Sequence, residues 1–190
     1  MAEQVNGRQK LLAGQYDTYA HWRSFALTHG VNVDFSYGNQ CWDICCLLWL
    51  QYGLFLYTGP IGFAYECYTV SRDRNAVLPF SIVERKTDIK KGDCLVFLPS
   101  GLNYTGHICF ADEDYNGTDS LNCLGQNQGQ GISWGTPSNV VTLSLSRLVG
   151  AFRNKNWEEE PEPVPHVTKK PQAKGFPWQI YARKFRNGRR

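Results

Sequence analysis

The hydrophobic residues change their spacing partway along the chain, and that change limits the possible folds more than any other feature. In the second half the apolar positions come in runs of strand length: Cys94-Leu95-Val96-Phe97-Leu98, His107-Ile108-Cys109-Phe110-Ala111, Leu121-Asn122-Cys123-Leu124, Val140-Val141-Thr142-Leu143 and Leu148-Val149-Gly150-Ala151-Phe152. Gly, Pro, Asn and Asp bound these runs, as they do strands joined by turns. In the first half the period is helical. Between Lys10 and Leu27, residues Leu11, Leu12, Tyr16, Tyr19, Ala20, Trp22, Phe25 and Ala26 suit one or two helices, with Gly30 placed to end the last. From Cys41 to Tyr52, residues Cys41, Cys45, Leu48, Trp49 and Tyr52 share one helical face, with Asn39 placed to cap the start and Gly53 to stop the end. Helices first and strands after them predict an α+β domain, its N-terminal helices packed on a central antiparallel sheet.

The domain is expected over residues 1–153. Residues 154–175 include Glu158-Glu159-Glu160-Pro161-Glu162-Pro163-Val164-Pro165 and Lys169-Lys170-Pro171, a composition that buries no core and predicts an extended linker. Residues 176–190 form an aromatic and basic tail too short to fold alone. Its Phe176, Trp178, Ile180, Tyr181 and Phe185 suit docking into a groove of a partner protein. Arg183, Lys184, Arg186, Arg189 and Arg190 crowd the end, while the formal charge of the whole chain is only +3. Nucleic-acid binding would rest on that tail alone, without a recognisable reading module, and is not expected. No apolar run approaches the length of a membrane span. The start of the chain has no signal-peptide pattern, so delivery to an extracellular target is expected to come from another factor.

Seven cysteines, Cys41, Cys45, Cys46, Cys67, Cys94, Cys109 and Cys123, are an odd number without C-x-x-C spacing, which argues against a disulfide framework and a zinc ribbon. Cys45, Cys46, Cys94, Cys109 and Cys123 read as small buried hydrophobes in a chain made in a reducing compartment. Cys41 differs because it opens a helix, where unpaired N–H groups and the macrodipole favour a thiolate. Of the four histidines, His107 alone opens an apolar strand, and it is the leading base. If Asn116-Gly117 is a two-residue hairpin turn, Gln126 stands opposite His107 and Asn127 sits one residue away, where a third group would hold the imidazole tautomer.

Taken together, Tyr37-Gly38-Asn39-Gln40-Cys41-Trp42-Asp43, Gly92-Asp93-Cys94-Leu95-Val96-Phe97, Gly106-His107-Ile108 and Leu124-Gly125-Gln126-Asn127 resemble, in order and spacing, the blocks of CHAP domains. These are the cysteine, histidine-dependent amidohydrolases and peptidases of phage endolysins and virion-associated lysins. The resemblance covers about residues 10–153. It implies a papain-like fold that cuts bacterial peptidoglycan, as an endopeptidase or an amidase, with Cys41 as nucleophile, His107 as base and Asn127 as orienting group. Many relatives carry glutamate two residues before that asparagine, where this chain has Gly125. The oxyanion would be held by the Cys41 backbone N–H with Gln40, and Gln126 would stand at the substrate.

Asn32, Asp34 and Asp43 bracket the nucleophile, and Ser36 and Gly38 lie between them, so five oxygen donors alternate along one loop, as Ca²⁺ prefers. The similar loop of some CHAP lysins binds calcium; Asn32 here replaces their first aspartate and lowers the ligand charge. The C-terminal region lacks the length and strand pattern of the separate wall-binding barrel that many endolysins carry. This favours a hydrolase anchored in a phage particle, through its tail proteins, over a free endolysin; both readings stay open. Two other readings remain open: a papain-like protease acting on proteins, and a catalytically silent virion or wall-binding component.

Overall fold

The computed structural model describes residues 3–7, 16–75, 79–101, 103–129 and 136–157. The linker and tail expected after these, with Phe176, Trp178, Ile180, Tyr181 and Phe185, lie outside the described residues. The elements in chain order are β1 (Glu3–Asn6), α1 (Tyr19–Thr28), β2 (His29–Asn32), α2 (Cys41–Leu50), α3 (Glu66–Asn75), β3 (Phe80–Val83), β4 (Cys94–Phe97), β5 (His107–Ala111), β6 (Ser120–Gly125), β7 (Asn139–Ser144) and β8 (Leu148–Asn154).

The fold is α+β, as the change of period predicts. Six strands form one antiparallel sheet in the order β3-β8-β4-β5-β6-β7. Every residue of β4 and all but the first of β5 are buried, because these strands lie mid-sheet with both faces covered. Continuous apolar runs are the consequence. Cys94, Val96, Ile108 and Phe110 join the core under the helices, whereas Leu95, Phe97, Cys109 and Ala111 face a second core with Val83, Ile89, Leu121 and Leu145. Edge strand β7 is mostly exposed and keeps its polar alternation.

Helix α2 is apolar almost all round, with eight of its ten residues buried. Such a helix is stable only inside a core. Trp49 stacks on Phe80 at 3.9 Å between ring centroids and meets Phe152 edge-on, which ties the helix to β3 and β8. The chain turns after α2 at Gly53, whose φ of +68° is the expected left-handed stop.

Three local expectations are corrected. Helix α1 ends at Thr28, and Gly30 does not terminate it but lies within β2, paired in parallel with β1. The N-cap of α2 is Gln40, whose backbone N–H donates to Asp43 Oδ2 at 2.8 Å. Asn39 instead exchanges hydrogen bonds with Gln4 and donates to the Thr136 carbonyl. No two-residue turn forms at Asn116-Gly117: the connection spans residues 112–119, with the Asn116 side chain accepting from Thr118. Phe110 therefore faces Leu124 and Ala111 faces Cys123, one residue on from the expected register.

The ordered core also runs past residue 153. Trp157 packs against Tyr19, Trp22 and Phe110, and its indole N–H donates to the Tyr16 carbonyl at 3.1 Å.

Candidate active site

Two ends meet at the site: the first residue of α2 and the first residue of β5. Helix α2 packs on β5, so Cys41 and His107 approach each other although the chain separates them widely. The two side chains are close enough to act on each other by charge, and the Ile108 backbone N–H also acts on the Cys41 sulfur.

The electrostatics follow from this pairing. Burial pushes the Cys41 thiol up, but the charge of His107, its hydrogen bond and the Ile108 N–H outweigh burial and leave the thiol below its ordinary value. Burial pushes the His107 imidazole down. The Cys41 thiolate, by charge and by hydrogen bond, and the acceptor Gln128 reverse that and leave it above its ordinary value. Both shifts favour a thiolate–imidazolium pair. Cys45, Cys67 and Cys109, by contrast, are pushed up, first by burial and then by neighbouring thiols. All seven cysteines are buried and none is in a disulfide, so position at the helix start and the histidine distinguish Cys41 from the rest.

The remaining expected residues fall around this pair in different ways. Asn127 does not reach the imidazole; its Nδ2 donates to Gln40 Oε1 at 2.8 Å. The group on the ring is Gln128, whose Oε1 lies 2.9 Å from His107 Nε2. The sequence reading missed it because the expected register was off by one residue and because Asn127 adopts φ +51°, which turns the chain just beyond β6. Gln40 supplies the cap position next to Cys41, and its Nε2 donates to the Tyr37 carbonyl while its Oε1 receives Asn127. The Cys41 N–H, first in its helix, has no intrahelical acceptor and can donate to a bound oxygen.

Gln126 is not at the substrate surface. It is 1% exposed, its Oε1 accepts from the Val31 N–H at 2.7 Å, and its Nε2 donates to the carbonyls of Val31 and Gln40 at 2.9 and 3.0 Å. It clamps β2 and the start of α2 to the end of β6.

In the loop before α2, Phe35, Tyr37 and Gly38 all have positive φ, and the rings of Phe35 and Tyr37 are thrown into solvent. The Asp34 side chain accepts from the Ser36 N–H at 2.8 Å. Asp43 is fully buried, accepts from the N–H groups of Val33 and Gln40, and is pushed up to about 7, first by burial and also by the Asp34 charge. The Asn32 Oδ1 is buried without a hydrogen-bond partner. An orphaned buried oxygen suits a hard cation, which oxygen donors bind, although both oxygens of Asp43 already accept from backbone N–H groups. Among the described residues there is no cluster of three His, Cys, Asp or Glu side chains, so a cation here would depend on amide and backbone oxygens as well.

No protein-family model and no curated protein sequence matches the chain. Among solved structures, it is similar to the crystal structure of the wild-type endolysin LysIME-EF1, with a TM-score of 0.56 and 21% identity over 75% of this chain and 66% of that one. The chain thus spans just under two thirds of the endolysin's length, and what the two share at this identity is the fold.

Proposed function

We propose that this protein is a phage peptidoglycan hydrolase that cleaves an amide bond of the bacterial wall with Cys41 as nucleophile and His107 as general base. The observation that carries the reading is the pairing of Cys41, first in α2, with His107, first in β5, each favouring the charged form of the other, in a chain that shares its fold with an endolysin. That neighbour is an endolysin, which supports the wall as substrate class. The sequence blocks around Cys41, Asp93, His107 and Asn127 support the CHAP type.

In the first step the Cys41 thiolate attacks the amide carbonyl carbon, and the carbonyl oxygen becomes an oxyanion facing the Cys41 N–H. The His107 imidazolium gives its proton to the leaving amine, the C–N bond breaks, and a thioester remains on Cys41. Neutral His107 then takes a proton from water, whose oxygen attacks the thioester. The new carboxylate leaves and the proton returns the pair to its starting state.

The residues that would hold a Ca²⁺ ion are Asn32, Asp34, Ser36, Gly38 and Asp43. The ion would supply positive charge to a loop whose carboxylates repel each other, and so stiffen the approach to the N-cap of α2.

The direct test compares the wild-type protein, Cys41→Ala and His107→Ala on purified cell walls and on casein. Release of soluble wall fragments by the wild type alone, with casein intact, is the expected result. Casein cleavage without wall release would favour a protein-directed protease, and wall binding without release by the wild type would favour a silent component.

A further inference from the structure

We propose that Gln128 is the positioning residue for His107, and that it reaches the ring through space left open by the missing side chain of Gly125. The inference rests on the Cys41–His107 reading and adds a third member to it.

Three observations converge. First, Gln128 Nε2 donates to the carbonyls of Cys123 and Asn139, both at 2.8 Å. Two carbonyls fix which end of the amide carries the NH₂ group, so the oxygen must face the ring. An oxygen has no proton to give. His107 Nε2 is therefore the protonated nitrogen of the neutral ring, and Nδ1 is left as the nitrogen able to take up a proton, the tautomer that the proposed reaction requires.

Second, a Cβ built on Gly125 would lie 2.9 Å from Gln128 Oε1, 3.2 Å from its Cδ and 2.9 Å from the Cβ of Cys109. Any side chain at 125 would displace the amide from its present place. Gly125 and Gln128 thus act as a pair. Third, the left-handed turn at Asn127 lets residue 128 fold back toward β5, while the Asn127 amide is held by Gln40.

A neutral amide in this position orients the ring without competing for its proton. Among the described residues, Cys41 from α2 and Cys123 from β6 are the other titratable groups that face the imidazole.

The test reads the tautomer and titration of His107 by ¹⁵N NMR in a Cys41→Ala background, which removes the thiolate. The expected result is a neutral ring protonated at Nε2. Adding Gln128→Leu should give a mixture of tautomers and a lower titration midpoint. Adding Gln128→Glu, which keeps an acceptor and introduces charge, should hold the Nε2–H tautomer and raise the midpoint. With Cys41 present, Gln128→Leu should lower the rate of wall hydrolysis by roughly 10- to 100-fold, the range seen when an outer partner of a working histidine is removed. An unchanged tautomer in Gln128→Leu, or midpoints moving the same way in both variants, overturns the proposal. The NMR result holds whether or not the wild type digests walls, so failure of the hydrolase reading and failure of this one are separable.

Discussion

Replacing Gln126 by leucine removes an amide that makes three hydrogen bonds to buried backbone, to Val31 N–H, Val31 C=O and Gln40 C=O. Leucine nearly matches the volume, so the packing loss is small and the polar loss dominates. Each such bond contributes about 1 kcal/mol net, and a buried group left without a partner costs more. The three together predict a loss of about 3 kcal/mol, a large share of the 5–15 kcal/mol that typically separates folded from unfolded domains. In urea, with a slope of roughly 1–3 kcal/mol/M, the unfolding midpoint should fall by about 1–3 M at unchanged slope. Because one bond ends on Gln40, next to the nucleophile, Cys41 alkylation should also slow in the folded variant. A midpoint within error of the wild type, with only KM for wall raised, would refute the clamp and restore Gln126 to the substrate surface.

Alkylation of Cys41 by iodoacetamide should set in below the ordinary thiol range of pH, because His107 lowers the thiol. In His107→Ala burial is opposed only by the Ile108 N–H, and the onset should move up in pH, as read by mass spectrometry of the modified peptide. Asp93→Ala should destabilise the fold by about 3 kcal/mol: it deletes a carboxylate that is 1% exposed, takes two bonds from Arg153 and accepts the Lys90 N–H, and a broken buried pair is expensive. Urea denaturation measures it. Added Ca²⁺ should raise the melting temperature of the wild type by a few degrees and leave Asp34→Ala unmoved, a difference that scanning calorimetry resolves.

Strands β4, β5 and β8 and helix α2 were legible because each is nearly continuous in apolar residues, and β6 and β7 because short apolar or alternating runs there are bounded by turn residues. What was not legible depended on partners far away in sequence. Strand β1 exists through parallel pairing with β2, and Gly30 looks like a helix stop until that pairing is known. Helix α3 has few apolar positions; Glu66 accepting the Phe63 N–H at 2.9 Å marks its start, a local signal that hydrophobic period does not carry. At the site, Cys41 and His107 could be read from position, one opening a helix and the other a strand. Gln128 could not, because a single residue of register separates it from Asn127. The available clue was Gly125, a residue without a side chain at the end of an otherwise filled strand.

The central claim is that the thiol of Cys41 opens amide bonds in the bacterial wall, and mass spectrometry of muropeptides released from purified walls tests it most directly. Wild-type protein should generate fragments carrying one new amine and one new carboxylate at a defined amide, and Cys41→Ala should generate none. Identical fragments from both proteins would contradict the account.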